Sequence, residues 1–250
     1  MVAVVTPEDG LARPEVVVDA LRLACARAGV AARLGRDARV LAAAGRVTGV
    51  AVGDDEVPCD VVVDAAGPWA ASLAADVGGA PVPLVSLRRH LFVAVGAPAP
   101  ELPWVWDTTR GLYARPWTLT GADVAPALLL CACDEEARPP EDAQAEPEAR
   151  ARLAAALQRA APALLDLEVR LAWAGLRTFA PDRRFVVGWD PRLAGLFWVA
   201  GLGGHGLTSA LAVGDLAARA IDDQVGDDAD LLAALTPARL APAPCPAGAP

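Results

Sequence analysis

Two apolar rhythms alternate along the chain. Between residues 14 and 28, Val17, Leu21, Ala24, Cys25 and Ala28 repeat on one face at helical spacing. Arg13-Pro14-Glu15 opens that helix, because proline suits the first helical position and an acid suits its positive end, and Gly29 stops it. Extended patterns follow at 31–34, 38–42 and 47–52, the last two joined through Gly45-Arg46. The run VPCDVVVDAAG (57–67) predicts a buried strand, and Pro68 the start of a helix. From 85 to 133 the rhythm is extended throughout, in SLRRHLFVAV, LPWVWD, GLYARPW and PALLLCAC. Leu153 and Leu157 mark one face of a helix over 146–161. A strand over 169–174, a loop over 175–182, strands at 185–188 and 196–200 and a helix over 206–222 complete the pattern. The tail from Pro237 reads as disordered, and no internal repeat is present. The elements predict a mixed α/β chain with a β-rich middle.

Composition narrows the chemistry. The net charge of −9 lacks the basic footprint of a nucleic-acid binder. All 22 basic residues are arginine. Without lysine there is no Schiff-base residue and no P-loop lysine. Acid is concentrated in 134–148 and 222–230, read as solvated surface. No apolar run reaches the roughly 18 residues of a membrane helix, and MVAVVTPEDG lacks a basic leader, so a cytoplasmic protein is expected. The five cysteines, Cys25, Cys59, Cys131, Cys133 and Cys245, predict reduced thiols. Cys131-x-Cys133 would place two thiols on one face of a strand, with too few further ligands for a metal site.

The stretch LFWVAGLGGHGLTSALAVGDLAARAI (196–221) carries Gly201-x-Gly203-x-x-Gly206 between a strand and a helix. A dinucleotide fingerprint needs a second strand ending in an acid about 20 residues on. Asp222 and Asp223 have that offset, but a helix leads to them, so a nicotinamide reading fails. What remains is a glycine turn that bares the N–H groups and positive dipole end of the final helix. No G-x-S-x-G elbow supports a hydrolase.

Four segments in order resemble the FAD-dependent oxidoreductases of the D-amino-acid oxidase, glycine oxidase and sarcosine oxidase superfamily: TPEDGLARPEVVVDAL (6–21), VVVDAAGPWAASLA (61–74), GLYARP (111–116) and the long stretch from WAGLRTFAPD to AVGDLAA (173–218). The resemblance implies a truncated FAD/NAD(P)-binding-like sheet of glutathione-reductase type, built from 1–80 and 165–225. An inserted antiparallel β-rich substrate domain would occupy 81–164, with a flexible tail at 226–250. It also implies that the glycine turn lies beside the pyrimidine edge of the flavin, where N–H groups and a helix dipole stabilise negative charge. The cofactor contacts it implies are Ala66, Gly67, Gly201, Leu202, Gly203, Gly204, His205, Gly206, Leu207 and Thr208. Gly175 stands where some sarcosine-oxidase relatives carry a flavin-linking cysteine, so the FAD is expected to be non-covalent.

On the same resemblance Arg177 pairs with a substrate carboxylate, aided by Tyr113. His205 stabilises the reduced ring, and Arg115 and His90 lie on the substrate side. The activity implied is oxidation of the C–N bond of an amino acid or N-alkyl glycine by hydride transfer to flavin N5. The family's front fingerprint, with its contacts to the adenosine half of FAD, has no counterpart before Gly67. The expectation is therefore a fragment, a mis-called start or a truncated product, whose front half a partner chain could supply. The alternative is a non-catalytic or partner-dependent remnant of the family that does not bind FAD on its own.

Overall fold

The computed structural model describes residues 4–96, 103–117 and 126–240. Among them α1 (Pro14–Arg27) is followed by β1 (Ala38–Ala43), β2 (Arg46–Val52), β3 (Asp55–Pro58) and β4 (Val62–Asp64). Then come α2 (Ala70–Ala75), β5 (Val85–Val95), β6 (Val105–Asp107), β7 (Leu112–Trp117), β8 (Ala127–Cys131), β9 (Glu136–Arg138) and α3 (Pro147–Ala160). The chain closes with β10 (Glu168–Phe179), β11 (Val186–Trp189), β12 (Leu196–Ala200), α4 (Gly206–Ile221) and α5 (Ala229–Leu235).

Three sheets form. The first is the meander β1-β2-β3. The second, β11-β12-β4, joins β4 to β12 in parallel, with Leu196 opposite Val62 and Trp198 opposite Asp64. It is a middle layer. Leu196, Trp198 and Ala200 face a core shared with α2 and the meander. Phe197 faces the other way, into a core with Val213 and Ala217 of α4 and Leu232 and Leu235 of α5. Alternation along β12 sends its side chains to opposite layers, and both are covered, so the strand reads as one continuous apolar run.

The third sheet runs β10-β5-β8-β7-β6, with β9 also pairing β5. One face packs on α3, where Phe92, Leu128 and Leu130 meet Ala149, Leu153, Ala156 and Leu157. Burying these large side chains contributes roughly 2 kcal/mol each.

Four expectations are corrected. Residues 31–34 form no strand; they are exposed and run unpaired into Gly35, so the apolar run had no partner to bond. The loop expected over 175–182 is strand as far as Phe179, because β10 pairs β5 along its whole length, from Glu168–Val95 to Phe179–Val85. Gly175 reads as a breaker but lies opposite Arg89, with open space where a Cβ would stand. The β-rich sheet expected to end at residue 164 therefore takes in β10 as well. Within the acidic stretch 134–148, read as solvated surface, β9 pairs with β5. Finally, 226–240 is ordered rather than a flexible tail: α5 packs into the β11-β12 core, and Arg239 grips Asp182 through Nε at 2.8 Å and Nη2 at 3.0 Å. Residues 241–250, with Cys245, lie outside the described residues.

Candidate functional site

The strand pairing of the β10-β5-β8-β7-β6 sheet sorts its side chains onto two faces. Directly opposed residues share a face, so Arg177, Leu87, Arg89, Gly175, Leu91 and Trp173 lie together. Through β8 the same face continues to Tyr113, Arg115 and Trp117, and through β6 to Trp106. The opposite face carries Ser86, Arg88, His90 and Phe92, all buried. The first face is covered only in part: Val93 and Leu129 are buried in it, while Trp106 is 63% exposed and Trp173 36%. It is an aromatic wall with arginines set into it. Arg115 lies over the rings of Trp117, at 4.7 Å, and Trp104, at 5.8 Å, and Trp117 and Trp173 tilt together at 6.1 Å.

The glycine turn closes over one end of this face. Gly203 N–H donates to Thr178 O at 2.9 Å, tying the turn to the end of β10. A Cβ on Gly203 would stand 2.7 Å from the Phe179 ring, and one on Gly204 would stand 2.9 Å from Arg177 Cδ. Both residues have positive φ, 58° and 94°. Only glycine allows that backbone and that approach together. Arg177 Nη2 donates to Glu135 Oε1 at 2.7 Å, while its Nε is buried without a partner. Burial, then the charge of Arg89, pull the Arg177 guanidinium below its ordinary value, and Glu135 opposes them.

At the turn, His205 is the N-cap of α4, but its side chain makes no capping bond. Its carbonyl accepts Thr208 Oγ1 at 2.9 Å and Ser209 Oγ at 2.7 Å, while the ring is exposed. The first-turn N–H groups, at Gly206, Leu207 and Thr208, thus begin a helix of 16 residues with no side-chain cap. Gly201 and Leu202 lead into it, Gly201 buried against Val186 and Leu84.

β4 ends beside this turn. Because β4 and β12 are parallel neighbours, Ala66-Gly67 and Gly201 leave the sheet at the same carboxyl edge, the usual ligand side of an α/β sheet. The short helical turn Gly67–Trp69 lies against β10. Gly67 has φ 56°, and a Cβ there would meet nothing within 4 Å. Asp64 is buried, with Oδ1 accepting Ala66 N–H at 3.1 Å and Oδ2 unpartnered. Burial pushes this carboxyl up to about 6, the Ala66 N–H pulling the other way.

One expected member lies elsewhere. His90 is on the face opposite Arg177 and is 1% exposed. Its Nε2 accepts the Glu146 N–H at 3.3 Å, so Nδ1 carries the proton and donates to Asp134 Oδ2 at 2.6 Å. Both nitrogens are used inside the protein, which removes His90 from the substrate side. Cys133 lies beyond β8 with φ 53°, so the two thiols do not alternate along a strand. Its N–H donates to Cys131 Sγ at 3.2 Å. The Cys131 side chain, and then Arg89, hold the Cys133 thiol below the ordinary thiol value. Tyr113 shares the face of Arg177 but lies three strands away, with β5 and β8 between, so the two share a wall and not one hydrogen-bonded pair.

A family model described as FAD dependent oxidoreductase matches residues 2–220. The chain belongs to that family. It is 31% identical over 173 residues to the Bos taurus protein named FAD-dependent oxidoreductase domain-containing protein 1, an overlap of 63% of this chain and 35% of that protein. The chain thus matches about a third of the length of that curated relative. L-proline dehydrogenase from P. horikoshii superimposes with a TM-score of 0.75 at 20% identity, covering 90% of this chain and 59% of that one. Glycine oxidase from Geobacillus kaustophilus gives 0.67 at 23% identity, covering 86% and 56%. At such identities the superpositions show the fold. No helix of the described residues is long and apolar enough to cross a membrane.

Three features at this edge would suit part of the family's FAD: a helix start without a side-chain cap, open space over Gly67, and an orphaned oxygen on Asp64. Asp64, Arg89 and Glu135 were not among the residues singled out by sequence. A lone Asp at a strand end carries no pattern, and the other two meet Arg177 only through strand pairing.

Proposed function

We propose that this chain forms the substrate side and the flavin-ring side of an FAD-dependent amine or amino-acid oxidoreductase. One observation carries the reading: the glycine turn that bares the α4 N-terminus rests directly on Arg177. A helix start suited to an electron-rich ring edge and a guanidinium suited to a carboxylate are thereby adjacent on one face. Bound FAD supplies the two-electron acceptor. Ala66, Gly67 and residues 201–208 would line its ring, the first-turn N–H groups of α4 facing its polar edge.

The chain's own residues do the positioning. Arg177 takes the carboxylate of an amino acid or N-alkyl glycine, and the wall of Trp106, Trp117 and Trp173 sheds water from the rest of the substrate. Tyr113 and Arg115 bound the far end of that wall. The exposed ring of His205 stands at the cofactor side of the turn. An amine that binds neutral needs no strong base from the protein, and orientation provides most of the acceleration.

The test is anaerobic reduction of FAD by substrate in the presence of the chain, screened with proline, glycine and N-methylglycine. Arg177→Ala is expected to raise KM about 100-fold, the loss of a bidentate charged contact of roughly 3 kcal/mol. An unchanged KM in a folded variant removes Arg177 from the reading. The competing reading, a member that acts only with further protein or has no flavin chemistry, draws on α1. None of its residues is buried, and Val16, Leu21 and Leu23 are exposed. No reduction with any substrate would favour it.

A further inference from the structure

Three guanidinium groups converge on one carboxylate at the end of this face. Glu135 Oε1 accepts from Arg177 Nη2 at 2.7 Å and from Arg89 Nη2 at 3.1 Å, and its Oε2 lies 3.5 Å from Arg183 Nη2. Arg89 also grips the backbone that carries Glu135, donating from Nε to Asp134 O at 3.1 Å and from Nη2 to Cys133 O at 3.2 Å. On the other face, Asp134 is locked by the His90 ring and by the His90 N–H at 3.1 Å. Glu135 is thus held in place by its neighbours on both sides of the sheet, yet its side chain is 34% exposed.

The contact with Arg177 is one-pronged. A guanidinium fork binds a carboxylate best through two parallel N–H donors. Glu135 takes Nη2, shares the same oxygen with Arg89, and leaves the buried Nε of Arg177 unpaired. A buried unpaired donor is costly, and a ligand that pairs it gains what Glu135 does not provide.

We propose that Glu135 is an internal carboxylate occupying the Arg177 fork, and that a ligand carboxylate enters by displacing it. The inference rests on Arg177 being the carboxylate-binding residue. Glu135 offsets part of the charge of three arginines while the site is empty and sets the threshold affinity an incoming carboxylate must exceed. Anions that make only a single contact are excluded, because one weak contact cannot displace a carboxylate already held by three cations. A ligand that makes the bidentate contact can.

The experiment is a titration of the chain with acetate, followed at the arginine Nε–H resonances by NMR, in the wild type, Glu135→Gln, Arg177→Ala and Glu135→Gln/Arg177→Ala. Glu135→Gln is expected to bind acetate about tenfold more tightly than the wild type, the double variant losing the gain. Equal affinity in wild type and Glu135→Gln would overturn the displacement proposal. If Arg177→Ala then also abolished binding, Arg177 would remain the carboxylate residue. A gain in Glu135→Gln that persisted in the double variant would likewise overturn it, placing the anion on Arg89 and Arg183. Should Glu135→Gln unfold, Glu135→Asp serves instead: it keeps the charge but is one methylene too short for Arg177, and the same tightening is expected.

Discussion

Gly204 shows how one missing side chain sets the geometry of a site. An alanine there would combine a left-handed φ of 94° with a Cβ 2.9 Å from Arg177 Cδ. The obstacle is a flexible side chain, so Arg177 would move and the fold would stay, at a cost of about 1–2 kcal/mol of backbone strain. Gly204→Ala is expected to keep the circular dichroism of the wild type while raising KM for a carboxylate substrate about tenfold. Asp64 makes a second prediction at this scale. Its carboxyl, ordinarily near 3.8, titrates near 6 when folded because burial disfavours the charge. Between those values the folded state binds the extra proton, so stability falls as pH rises through the window. Asp64→Asn keeps an acceptor for the Ala66 N–H and removes the buried charge. Chemical denaturation should show it on the order of 2 kcal/mol more stable at neutral pH. The gap should close below the ordinary carboxylate range; a gap independent of pH would refute the assignment.

Among elements, the β11–β12 hairpin depends on a carboxylate that no motif announced. Asp190 accepts Ala80 N–H and Trp198 Nε1–H on Oδ2, and the N–H groups of Arg192 and Leu193 on Oδ1, each at 2.8 Å. It fixes the turn, the ring in the core and the segment leading to β5 at once. Asp190→Ala leaves four donors unsatisfied and is expected to cost on the order of 3 kcal/mol in urea titration. Elements were legible where a pattern had one clear reason. Leu153 and Leu157 on one face gave α3, and the continuous apolar runs gave β11 and β12. The extension of β10 through Gly175 and Arg177 was hidden because successive residues share one environment, exposed on both faces from Arg170 to Trp173 and buried on both at Thr178 and Phe179, so no alternation of burial marks it. α5 was hidden in an acidic, alanine-rich stretch whose order comes from tertiary contact with Leu232 and Leu235.

For the molecule as a whole, the arrangement of layers decides what the site can be. The parallel pair β4-β12 brings Gly67 and the glycine turn to one edge, and the long pair β5-β10 brings the aromatic wall and Arg177 up to that turn. Sequence motifs named the turn and Arg177. They could not show that Glu135 already sits on Arg177, or that His90 faces away, because both follow from which face of β5 each neighbour takes. The central claim is that the α4 start beside Arg177 receives a flavin ring. Its most direct test is the visible spectrum of FAD titrated with the chain at equilibrium, alongside Gly203→Val, whose side chain would enter the Phe179 ring and deform the turn. A saturable shift and sharpening of the flavin band with the wild type, absent in the variant, is the result predicted. A flavin spectrum unchanged by excess chain would contradict it.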